Sequence, residues 1–150
     1  MENAIVLAPE VLGHIGSFPI TNTLFTSWIV MAILTILALI VGLRVKLVPN
    51  SALQNVFEII IEAGYDISES LAHSKTKIFF TIVMTFFLYI WAGNILGLLP
   101  GFGTITYKGE IFLRSINSDL NMTLGLALFS AVLTHALSLR YLGIIDYLKR

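Results

Sequence analysis

The 150-residue chain contains no cysteine. Disulfides and thiolate-bound metals are therefore excluded, and thiol usage carries no sign of a redox compartment. Charge is scarce: Asp, Glu, Lys and Arg make up 12% of the residues, against about a quarter in an ordinary soluble domain. The formal net charge is zero, so nothing points to a nucleic-acid partner. The opening MENAIVLAPE has no Lys or Arg. It lacks the basic n-region of a secretory signal, and the first apolar run is too long for an h-region, so a signal peptide is not expected. There is no Gly-rich loop ending in Lys-Ser/Thr, no His-Glu-x-x-His and no plausible nucleophile triad. No nucleotide, metal or other cofactor is expected. Internal repeats and low-complexity segments are also missing.

What is abundant is apolar surface, at 57% of the residues. The run from Ile78 to Phe102 has no charged side chain. As a helix, Ile78 to Leu99 is about 33 Å long, enough to cross a hydrocarbon core of about 30 Å. Pro100 and Gly101 stop it. Thr23 to Leu43 forms a first span, with Trp28 placed for the interface and Arg44 and Lys46 placed to snorkel. Pro49 then breaks the helix. Leu120 to Leu139 forms a third span. Residues 1–22 are an irregular lead, since Gly13, Gly16 and Pro19 argue against one long helix, and His14 there reads as solvated or interfacial. A Gly- and Ser-rich polar loop joins the second and third spans, and residues 140–150 form a tail.

Residues 51–71 read differently. Ser51 and Gln54 have capping-box spacing. Leu53, Val56, Phe57, Ile60, Gly64, Ile67 and Leu71 recur on one face, while Glu58, Glu62, Asp66 and Glu69 form a separate acidic stripe. That is too much charge for a span. The segment is expected to lie along the cytoplasmic membrane surface, its stripe packed against other protein or simply solvated. The fold class is thus an all-α integral membrane protein with three transmembrane helices and one amphipathic interfacial helix. Arg44, Lys46, Lys75 and Lys77 flank that helix, and Arg140, Lys149 and Arg150 close the chain. Only Lys108 and Arg114 lie between the second and third spans. The positive-inside bias predicts an external N-terminus and a cytoplasmic C-terminus.

Three residues of the second span stand out. Asn94 lies inside the apolar run, where an unpaired amide is costly, so it should face protein or water. Gly93 and Gly97 have the Gly-xxx-Gly spacing that admits a close helix neighbour, although the pair also arises by chance. In the third span, Asp119, Thr123, Ser130 and Thr134 fall within about 60° of each other around a helix. A carboxylate followed by small hydroxyls suits a proton or ion path. The same residues also suit a plain reading, with Asp119 as N-cap and the hydroxyls bonded back to their own helix.

Several segments in order carry a family resemblance. They are ITNTLFTSWIV at 20–30, KLVPNSALQNVFEIIIE at 46–62, NILGLLPGF at 94–102, NSDLNMTLGLAL at 117–128 and YLGIIDYLKR at 141–150. Together they resemble the N-terminal part of subunit a of F-type ATP synthase, the membrane stator beside the rotating c-ring. The resemblance implies a proton-translocating role in two offset half-channels. It places Asp119, Asn121 and Thr123 in the outer half-channel. It implies the c-ring, the b subunits and the lipid bilayer as partners, and a bacterial plasma membrane location. The family's essential arginine lies in later helices. Ser138-Leu139-Arg140-Tyr141-Leu142-Gly143 echoes that arginine's motif, but Arg140 falls at the end of a span. The chain is therefore expected to be a fragment, a truncated product or one half of a split subunit, unable to move protons without the C-terminal half. The other reading is a non-transporting membrane scaffold.

Overall fold

The computed structural model describes residues 8–46, 51–72, 75–107 and 109–149. Pro49, Lys108 and Arg150, all used in the sequence reading, lie outside the described residues. The lead is more ordered than its glycines suggested. Val11–Ile15 (β1) and Phe18–Thr21 (β2) pair antiparallel, with Ile15 opposite Phe18. Gly16, at φ 62°, makes the reversal between them, a conformation in which a Cβ would be strained. At Thr21 the chain turns helical: its hydroxyl accepts from the Leu24 N–H at 3.2 Å and caps Asn22–Arg44 (α1).

The second helix, Ala52–Ala72 (α2), starts at Ser51, whose hydroxyl accepts from the Gln54 N–H. Only this half of the expected capping box forms. The Gln54 amide instead donates to the Lys46 carbonyl at 2.8 Å and to Glu58 at 2.7 Å, and accepts from the Lys46 N–H. Gln54 is buried, and it ties the end of α1 to the start of α2. The third helix, Thr76–Leu98 (α3), ends before Pro100, and Gly101 turns the chain at φ 90°.

The amphipathic helix lies alongside α3, not across its end. Gly64 sits against Met84, and Tyr65 stacks edge-on against Phe80. Ile67 and Leu71 share a groove with Lys75 and Phe79, whereas Ile59 and Ile60 share one with Phe87 and Trp91. The contacts run in opposite sequence directions, as in a helical hairpin. Gly64 lets α3 approach closely, and Phe57 and Ile60 are half-buried, while Leu53, Val56, Ile67 and Leu71 of the same face stay exposed.

Thr106–Tyr107 (β3) and Glu110–Ile111 (β4) make a small second hairpin within the supposed loop. A 3-10 turn at Ile116–Ser118 leads into Leu120–Leu142 (α4). Gly143, at φ 78°, ends α4, and the short helix Ile144–Leu148 (α5) follows. Arg140 lies in the last turn of α4.

Burial is inverted relative to a soluble domain. Among the described residues eight buried side chains are polar or charged and only three, Val30, Met84 and Ile116, are apolar. No described residue of α4 is buried. Large apolar side chains such as Ile36, Leu43, Val132 and Phe129 are exposed. α1, α3 and α4 are each long and apolar enough to cross a membrane. Their hydroxyls bond back to the helix, as Thr35 does to the Met31 carbonyl and Thr85 to that of Thr81, which suits a solvent without hydrogen-bonding partners. This is the pattern of a chain whose apolar surface is covered by lipid or by other apolar protein.

Candidate functional site

The start of α1, the end of α3 and the start of α4 converge on one polar junction. Asn22, Thr23, Thr26, Ser27 and Asp119 are all buried there. Asp119 caps α4: one carboxylate oxygen accepts from the Asn121 N–H at 2.9 Å. The other accepts from the Thr23 hydroxyl at 2.6 Å, 96 residues away in sequence. Asp119 is 2% exposed, so its carboxyl group is sheltered from bulk water, and these two donors are the partners of its oxygens.

A second lock holds Thr23 in place. Asn22 donates from its backbone to the Glu10 carbonyl at 3.0 Å and from its side chain to the Ile111 carbonyl at 3.0 Å. Its side-chain oxygen accepts from the Glu10 and Thr23 N–H groups. The Glu10 carboxylate accepts from the Ile111 N–H at 2.9 Å and from the Asn22 amide. Phe25 packs on Phe112 beside it, with centroids 4.9 Å apart. Both hairpins are thus fastened to the start of α1. Every buried side-chain polar atom among the described residues has a partner.

Gly93 and Gly97 meet the loop before α4. A Cβ on Gly93 would lie 2.6 Å from Ile116 Cγ1, and one on Gly97 would lie 2.8 Å from the Ser115 Cβ and Oγ. The close neighbour is the segment of the 3-10 turn and not a second long helix. Next to them, Asn94 accepts from the Asn117 amide at 2.8 Å, and the same amide reaches the Ile90 carbonyl. This satisfies the side-chain oxygen of Asn94, whose side chain stays exposed.

The stripe inferred on α4 divides. Thr123 and Ser130 line a groove of about 460 Å³ between α3 and α4, together with Asn94, Asn117, Phe86 and Ile90. Asp119 turns away from that groove toward α1, and Thr134 lies beyond the lining residues. The Thr123 hydroxyl donates to the Asp119 and Leu120 carbonyls, and Thr134 donates to the Ser130 carbonyl. Asn121 contributes its backbone N–H to the cap, and its side chain is exposed. Sequence reasoning did not anticipate Glu10, Asn22, Thr23 or Asn117. Their partners are distant in sequence, and only the dense run Thr21-Asn22-Thr23 with Thr26-Ser27 at the head of an apolar helix marked the place.

Three long apolar helices, hydroxyls closed on their own backbones and a buried polar junction define a multi-pass α-helical membrane protein. Residues 24–150 match the family model described as ATP synthase A chain. The chain belongs to that family. It is 28% identical over 135 residues to an ATP synthase subunit a of Legionella pneumophila (strain Paris), covering 90% of this chain and 54% of that protein. It is 34% identical over 121 residues to one from Oleidesulfovibrio alaskensis, covering 79% of this chain and 47% of the relative. It is 31% identical over 146 residues to "ATP synthase subunit a, sodium ion specific" of Propionigenium modestum, covering 95% and 50%. The chain spans about half the length of the curated relatives it matches.

Proposed function

We propose that this chain contributes the outer half of the proton path in the membrane sector of an F-type ATP synthase. In this reading Asp119 is the exchangeable carboxylate, turned toward α1, and Thr123 and Ser130, with Asn94 and Asn117, line a separate water-bearing groove on the other side of the head of α4. The c-ring, the b subunits and the family's arginine-bearing segment are the partners, and the N-terminus faces outward in a bacterial plasma membrane. The observation that carries the reading is Asp119 itself. A carboxylate 2% exposed, at the meeting point of two spans, is held by one hydroxyl and one backbone N–H and by no basic side chain among the described residues. An ionisable side chain buried among membrane-spanning helices is a usual mark of an ion or proton pathway.

The helix-cap role does not compete with this, because capping uses only one of the two carboxylate oxygens. Asp119→Asn keeps a capping oxygen and removes the exchangeable proton. In a complete complex reconstituted in sodium-free buffer, it is expected to assemble normally and to slow ATP synthesis driven by a pH gradient. An Asn variant synthesising ATP at the parental rate would remove the role and leave Asp119 as a cap. A purely scaffolding function predicts that parental rate.

A further inference from the structure

The carboxylate oxygen of Asp119 that is not used in capping points at a chain of hydroxyls on a different element. Thr23 Oγ1 donates to it at 2.6 Å. Thr23 Oγ1 lies 3.2 Å from Thr21 Oγ1. Thr23 has one hydroxyl proton and gives it to the carboxylate, so the Thr21–Thr23 bond is made by the Thr21 proton. The direction of donation is therefore set: Thr21 to Thr23 to Asp119. Exposure follows the same order, since Thr21 is half-buried whereas Thr23 is 0% and Asp119 2% exposed. Meanwhile the α4 hydroxyls nearest in sequence do not reach the carboxylate, because Thr123 is turned to backbone carbonyls.

We propose that Thr21 and Thr23 form a hydroxyl relay that carries protons between the aqueous phase and Asp119. The relay rests on the reading of Asp119 as an exchangeable carboxylate. In the inward direction a hydronium ion gives a proton to Thr21 Oγ1 and becomes water. In the same motion the Thr21 hydroxyl proton passes to Thr23 Oγ1, and the Thr23 proton passes to Asp119 Oδ2. At each hydroxyl one O–H bond forms and one breaks, so neither threonine is left charged, and the carboxylate becomes the acid. Once Asp119 has passed its proton on, rotation of the two hydroxyls about their C–O bonds restores the starting order. The geometry allows the transfer because the Asn22 lock and the α1 cap hold both hydroxyls in place. Thr21 Oγ1 accepts the Leu24 N–H, and the Thr23 N–H is held by the Asn22 side chain.

The test compares variants in the complete synthase reconstituted in liposomes, with synthesis driven by a pH gradient and rates normalised to assembled complex. Thr23→Val is isosteric and removes the relay hydroxyl; it is expected to slow synthesis as much as Asp119→Asn does. Thr23→Ser restores the hydroxyl and should restore the rate. Thr21→Asn keeps an oxygen for the Leu24 N–H but cannot accept and release a proton as a hydroxyl does; it should be slow. If Asp119→Asn is slow while Thr23→Val or Thr21→Asn keeps the parental rate, the relay is overturned and the role of Asp119 stands. A slow Thr23→Ser would show that packing at Thr23 matters and not its hydroxyl, which also overturns the relay. A parental rate in Asp119→Asn would bring down the underlying reading as well.

Discussion

At the scale of single residues, the polar junction joins two kinds of constraint in the same atoms. Asp119 ends one helix start and receives a hydroxyl from another helix. Removing its side chain should therefore cost more than a surface cap. Asp119→Ala loses a capping oxygen, worth about 1 kcal/mol, and leaves the buried Thr23 hydroxyl without its acceptor, which adds about 1–3 kcal/mol. Asp119→Asn keeps the capping oxygen for the Asn121 N–H and places an amide NH2, a donor, opposite the Thr23 hydroxyl, which must turn to accept it; it should cost less than Asp119→Ala. Unfolding of the purified chain in detergent, followed by circular dichroism against denaturant, separates the two. Gly93 makes a second prediction at this scale. Ile116 is 1% exposed, and its side chain would have to shift within that buried site to admit a new Cβ. Gly93→Ala should destabilise by about 1–3 kcal/mol as overpacking does. Gly13→Ala meets no atom within 4 Å and serves as the control. Equal midpoints for the two would mean that the approach of Ile116 to α3 is not close.

At the scale of elements, what could be read from the sequence was what neighbours along the chain decide. Each of the four long helices lies within two or three residues of its expected bounds, because hydrophobic runs, the Ser51 and Asp119 caps and the Pro100 stop all act locally. The two hairpins were missed because their strands are short and their glycines read equally well as irregular chain. The junction was missed for a different reason. Its bonds join Glu10 to Ile111 across 101 residues and Thr23 to Asp119 across 96, and no periodicity encodes such pairs. The direction of α2 was also beyond local pattern: an amphipathic face does not say which helix it meets, and the approach of Met84 to Gly64 does. With α2 laid along α3, Glu62, Asp66 and Glu69 remain exposed while Glu58 is held by Gln54. Changing Glu62, Asp66 and Glu69 to the matching amides should weaken co-purification with the other membrane-sector subunits and leave insertion unchanged. Undiminished co-purification would assign the stripe to solvent.

At the scale of the whole molecule, the inverted burial and the bare surface of α4 leave apolar faces for lipid or other apolar protein to cover. The orientation we propose has a direct check. Single cysteines at Ser17, Ser70 and Thr104 occupy exposed positions in the lead, at the end of α2 and in the loop after α3. An impermeant thiol reagent should label the first and third in intact cells and the second only after permeabilisation; the opposite pattern would invert the topology. The central claim, that Asp119 lies on the proton's route, is tested most directly by passive flux. Membrane sectors stripped of their catalytic head are reconstituted, a potential is imposed, and proton uptake is followed in sodium-free buffer. Asp119→Asn is predicted to lower the flux well below that of the parent at equal c-ring content, whereas flux equal to that of the parent would contradict the account.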